Sequence, residues 1–212
     1  MKTLPFSPFL SILLLFCSCT NNRCDCFIEH SSKEIPTEYK NKTDSALFFH
    51  RGQYFMDGDS RHLDSALFLL NQAVEFAPEL LPAYFYKSLI YETKGDFSLT
   101  IETIDSAINN AYPTPDILFL KARALDYLNK TKEADIVLKE TEALFSQLIN
   151  CFPDSINLIA AEIEFTAYHK GKEAALNEVK KYLKKFPNND LLIGFGDFLK
   201  EEPQESMLFR KK

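Results

Sequence analysis

A chain of 212 residues with 46% hydrophobic side chains has enough apolar material to close a core, which excludes a wholly disordered polymer. Its formal net charge of −6 excludes a surface built mainly to neutralise nucleic-acid phosphates. The basic runs Lys180, Lys181, Lys184, Lys185 and Arg210-Lys211-Lys212 are then solvated helix faces and tails.

Residues 1–18 have the layout of a targeting segment: Lys2, an apolar run from Phe9 to Phe16, and small Ser18 just before Cys19. The run falls short of the ~20 apolar residues a spanning helix needs, and Pro5 and Pro8 would break its front. Ser18-Cys19 resembles the end of a bacterial lipoprotein signal, whose cysteine receives diacylglycerol and becomes the new N-terminus. The resemblance implies a palmitate-type lipid anchor at Cys19 and a place in the cell envelope. Thr20 after the cysteine, rather than Asp, resembles lipoproteins sent to an outer membrane, and the lack of an acidic run just after Cys19 favours a body facing the periplasm over surface display. Phe16 stands where that family usually has Leu, and an ordinary secreted protein cut nearby is the alternative.

Removal of the signal leaves Cys24, Cys26 and Cys151 beside Cys19, and three thiols cannot all pair within one chain. Cys24-Asp25-Cys26 supplies two of the roughly four ligands a metal site needs, with only His30 near it in sequence. The stretch therefore reads as a flexible tether over 19–43 that contains cysteines. Cys151 reads as a buried small hydrophobe.

From Asp44 onward apolar residues recur at helical spacing, with almost no strand-like alternation. A period of 34 residues then emerges: Ala66, Thr100 and Ala134; Leu70, Ile104 and Leu138; Ala73, Ala107 and Thr141. Tyr84 and Leu118, Ser88 and Ala122, Tyr91 and Leu125, and Gly95 and Asn129 keep the same interval. Phe48, Gly52, Phe55 and Asp59 match in the first unit, displaced by a longer turn at 57–61. Large, small, large on a first helix lets a second helix with its own small residues approach closely. Gly95 and Asn129 suit the turn between them, and Pro78 and Pro113 close the first two units.

This arrangement resembles the tetratricopeptide repeat (TPR). The resemblance implies an all-α fold, a right-handed superhelical stack of antiparallel helix pairs of the α-solenoid kind. It covers 44–187, as units of about 45–80, 81–114 and 115–148 and a degenerate one at 154–187. In the last unit Ala175, Val179 and Tyr182 hold the second-helix places, while the first helix lacks a clear small residue. The wider spacing before it predicts a long helix over 132–150, a capping helix is expected at 188–200, and 201–212 reads as a polar tail.

No catalytic constellation emerges from the sequence, and an enzyme is not expected. His30, His50, His62 and His169 are scattered, and Glu162/Glu164 and Glu201/Glu202 do not share a helix face. No phosphate loop or Gly-x-Ser-x-Gly turn is present, and no cofactor or metal is expected. Asp-Ser followed by an apolar residue, at Asp44, Asp64, Asp105 and Asp154, is similar to an O-glycosylation motif of exported Bacteroidetes proteins. Helix capping by the same residue types is the simpler account.

In the repeat family, places 2, 5, 9 and 12 of each unit face a bound peptide. Carried over, the resemblance implies a partner-binding set of Phe49, Gln53 and Met56; Phe85, Leu89 and Glu92; and Phe119, Arg123 and Asp126. Phe at every fifth place argues against the Lys/Asn carboxylate clamp of some relatives. An aromatic ladder would favour an apolar segment; the competing account is that Phe49, Phe85 and Phe119 are core. The resulting expectation is a membrane-anchored protein–protein interaction scaffold or adaptor, binding another protein or peptide and neither nucleic acid nor a small-molecule substrate. An envelope enzyme or carbohydrate-handling lipoprotein is the alternative from a different class.

Overall fold

The computed structural model describes residues 37–47, 49–50, 54–110, 113–203, 206 and 208–210. The signal segment, Cys19, Cys24, Cys26 and Gln53 lie outside these. Every regular element among the described residues is helical: α1 (Thr37–Leu47), α2 (Phe55–Asp57), α3 (Arg61–Phe76), α4 (Leu81–Lys94), α5 (Phe97–Asn110), α6 (Pro115–Tyr127), α7 (Thr131–Cys151), α8 (Ile156–Lys170), α9 (Lys172–Lys185) and α10 (Asp190–Glu201). Among the described residues the chain divides within α7 into two compact units, one before and one after the boundary between Thr141 and Glu142.

In the first unit each helix packs on the next: α3 on α1, α4 on α3, α5 on α4 and α6 on α5. The first helices also meet one another, α1 with α4 and α4 with α6. This is the layering of an α-solenoid, in which a helix pair cannot bury its apolar stripe alone and does so against its neighbours. The 34-residue register explains the burial. Ala66, Thr100 and Ala134, Leu70, Ile104 and Leu138, Ala73, Ala107 and Thr141, and Ser88 and Ala122 are all fully buried.

The turns repeat as faithfully as the stripes. Gly95 and Asn129 both sit in the left-handed region, at φ 77° and 59°. Each is followed by the same pair of bonds: the amides of Gly95 and Asp96 donate to the carbonyls of Glu92 and Tyr91, and those of Asn129 and Lys130 to Asp126 and Leu125. These bonds satisfy the carbonyls that the helix ends leave over. Asp64 and Asp105 lie inside helices, and Ser155 stands at the N-cap of α8 without a side-chain cap bond. Asp64 pairs with Lys94 at 2.7 Å, Asp105 with Lys121 at 2.5 Å and Asp154 with Lys185 at 2.7 Å. The hydroxyls of Ser65 and Ser106 donate backwards to the carbonyls of Arg61 and Glu102.

In the second unit α8, α9 and α10 pack mutually around Ile159, Ile163, Val179, Leu192, Phe195 and Leu199. A Cβ placed at Gly196 would stand 3.0 Å from Val179 Cγ1, so α10 approaches α9 at a point where any added side chain presses on Val179. The Asn189 side chain accepts from the Leu192 amide at 3.0 Å and starts α10.

Three expectations are corrected. The tether expected through residue 43 is helical from Thr37, because Tyr39 stacks on Phe76 at 3.9 Å, Lys42 donates to Gln72 at 2.7 Å, and Thr43 and Ala46 are buried. The expected polar tail carries buried Ser206 and Phe209. Cys151 is half-buried and disulfide-bonded rather than a buried small hydrophobe, and the chain's other cysteines lie outside the described residues.

Candidate interaction surface

The face formed by α1, α2, α4 and α6 carries the residues expected to meet a partner, and packing decides which of them are open. Phe85 and Leu89 on α4 and Phe119 on α6 are buried, at 2%, 1% and 4% exposure. Phe85 meets Tyr86 edge to face, with ring centroids 5.8 Å apart. The aromatic ladder is therefore not an open apolar strip: two of its three rungs sit within the packing of neighbouring helices. Phe49 is half-buried, its ring stacked 6.2 Å from that of His62, and Met56 is 83% exposed.

Glu92 and Arg123 meet each other. Glu92 is buried, and Arg123 Nη2 stands 3.1 Å from Glu92 Oε1, off the line of an N–H hydrogen bond. The guanidinium carbon also lies 5.7 Å from the centre of the Phe119 ring. The twelfth place of one unit thus meets the ninth place of the next, whose guanidinium lies beside the fifth place of its own unit. Burial pushes the Glu92 carboxyl above its ordinary range, and the Arg123 charge pulls the other way. Burial likewise raises the phenol of Tyr127, with Arg123 opposing and Glu92 adding to the shift. Tyr127 stacks on Phe97 at 4.3 Å, tying the end of α6 to the start of α5.

Around this seam the surface is mixed in charge. Asp126 is half-buried, as is Arg123. Lys87 lies 5.9 Å over the Tyr91 ring, and its burial lowers the ammonium pKa against the pull of Glu102. His50, which the sequence gave no reason to place here, is fully buried, with Nε2 3.3 Å from Thr93 Oγ1. Glu162 accepts from the Tyr182 hydroxyl at 2.8 Å, and burial raises its pKa. Glu164, paired with it in sequence, is buried. Among the described residues no group of three or more His, Cys, Asp and Glu is arranged to hold a metal ion.

No family model matches the chain, and no curated protein does. Among solved structures it is similar to one described as YrrB, a TPR protein with an unusual peptide-binding site. The identity is 16% and the TM-score 0.32, over 76% of this chain and 96% of that one. At that score the likeness carries no argument, and the helix-pair architecture rests on the helices, turns and burial described above.

Proposed function

We propose that the chain is a protein–protein interaction scaffold of the bacterial cell envelope, held by a lipid on Cys19 and turned toward the periplasm from the outer membrane. The anchor and its membrane rest on the resemblance of Ser18-Cys19 and Thr20 to a lipoprotein signal, while the observation that carries the scaffold reading is the use of the repeat register. Its small and branched positions are taken up in helix packing, and Glu92 with Arg123 locks α4 against α6. A fixed face of first helices results, whose exposed residues are not needed to hold the fold. The partner is a polypeptide segment, met by Met56 and by the accessible parts of Phe49, Arg123 and Asp126. Its contact is more polar than an open aromatic ladder would give, since Phe85 and Phe119 are buried.

Photo-crosslinking in living cells tests this without disturbing the core. A crosslinking side chain replaces Met56, or Phe68 on α3, which is 63% exposed. A discrete adduct is expected from position 56 and none of that mass from position 68. Identical adducts from both, or none from 56, would sink the proposal.

A further inference from the structure

Ala175, Val179 and Tyr182 form the buried stripe of α9. The opposite side of the helix therefore carries Glu173, Asn177, Lys180, Lys181 and Lys184, all exposed. From Asn177 to the end of the helix that side holds no acidic residue. Two neighbouring carboxylates are already engaged: Glu178 pairs with Lys181 at 2.7 Å, and Asp154, ahead of α8, pairs with Lys185 at 2.7 Å. Lys180 and Lys184, one turn apart, take part in no ion pair among the described residues. Lys184 and Lys185 complement the carbonyl end of the helix, which gives no account of Lys180 a turn earlier. By contrast, Lys132 and Lys139 on α7 stand among exposed Glu133, Asp135 and Glu140.

We propose that the outward face of α9 docks on the anionic headgroups of a phospholipid bilayer, the membrane into which the chain's own lipid inserts. The composition of the face favours lipid over a protein partner. It exposes no apolar or aromatic side chain, whereas protein interfaces are depleted in Lys and anchored by aromatic residues. A leaflet of anionic lipid asks for neither a pocket nor apolar area, and it attracts clustered Lys within a Debye length of roughly 8–10 Å. The net charge of −6 gives the whole chain no such attraction, so contact is confined to a face where cations stand without acids. The nearness of the membrane rests on the anchor of the proposed function. The affinity of the face does not, and it is measured without lipid on the chain.

The test uses the full chain carrying Cys19→Ala, which cannot take a lipid there. Binding is read by sedimentation with vesicles of phosphatidylcholine alone or mixed equally with phosphatidylglycerol. The apolar run from Phe9 to Phe16 is common to every chain compared, so its own affinity for bilayers cancels. Lys180→Glu with Lys184→Glu is expected to weaken binding to the mixed vesicles by at least about tenfold and to leave binding to phosphatidylcholine unchanged. Lys132→Glu with Lys139→Glu changes the net charge equally and should stay within about threefold of the chain that keeps all four lysines. Raising the salt should erase the difference between the two pairs. All four lysines are exposed, so native circular dichroism is expected. If the α9 pair loses its helical signal, Lys180→Gln with Lys184→Gln carries the comparison, with a loss of at least about threefold expected. Equal losses from the α9 and α7 pairs, or no loss from the α9 pair, would overturn the proposal. So would binding of soluble polyglutamate that depends on Lys180 and Lys184 with no preference for the mixed vesicles, which would make the partner an acidic polypeptide.

Discussion

A guanidinium and a carboxylate taken out of water repay their desolvation only while both are present. With Glu92 and Arg123 at 3.1 Å, Arg123→Ala leaves a buried carboxylate without its cation and is expected to cost about 3–5 kcal/mol. Replacing both together, Glu92→Leu with Arg123→Met, should recover most of that loss, because no uncompensated charge remains. Urea unfolding of the three chains checks this, and a double variant as unstable as the single one would refute it. The same carboxyl sets a pH dependence. Its folded pKa is raised from 4.5 by burial, so folding favours its protonated form. That contribution is fully present below about pH 4.5 and is lost as pH rises through the folded value. Glu92→Gln does not titrate. The native chain should therefore lose stability relative to this variant as pH rises from about 4.5 toward neutrality, and parallel stability–pH curves would show that the carboxyl is not shifted.

At the scale of elements, α10 offers a matched pair of glycines. A Cβ at Gly194 would meet nothing within 4 Å, whereas one at Gly196 would stand 3.0 Å from Val179 Cγ1. Gly194→Ala should stabilise the chain by roughly 0.5–1 kcal/mol through helix propensity. Gly196→Leu should destabilise it by about 1–3 kcal/mol through overpacking against α9. Thermal unfolding of both variants reads the two signs, and equal shifts would mean that α10 does not approach α9 as described. Helix positions of this kind were legible in the sequence because a 34-residue register is a local, repeated signal: small residues at fixed places and a left-handed residue at Gly95 and Asn129. The start of α1 was not, since Thr37–Leu47 is largely polar and is held by contacts such as Tyr39 on Phe76, far apart in sequence. The burial of Phe209 escaped for the same reason. The site was half legible. Family places picked out Glu92 and Arg123, but nothing within one unit says that these side chains turn to each other across adjacent units.

For the molecule as a whole, the question is what would keep it at a membrane. Among the described residues no helix is long and apolar enough to cross one, and the net charge of −6 gives no general attraction to an anionic bilayer. In the proposed function attachment rests on covalent lipid, and the number of chains matters. One acyl chain gives only marginal, reversible binding, whereas two give stable anchoring, and a diacylglycerol thioether at Cys19 would supply two. Cys19→Ala is accordingly expected to lose incorporation of an alkyne-labelled fatty acid and to move from the carbonate-washed membrane fraction. Cys17→Ala, two residues before Cys19, should retain both. Because the helices begin at Thr37 among the described residues, the soluble fraction of a cleaved Cys19→Ala chain should keep native helical circular dichroism, which separates loss of the anchor from loss of the fold. Retention of label and of membrane association by Cys19→Ala would assign the anchor elsewhere and remove the envelope tether from the proposed function, while leaving the surface around Met56 to be tested by crosslinking alone.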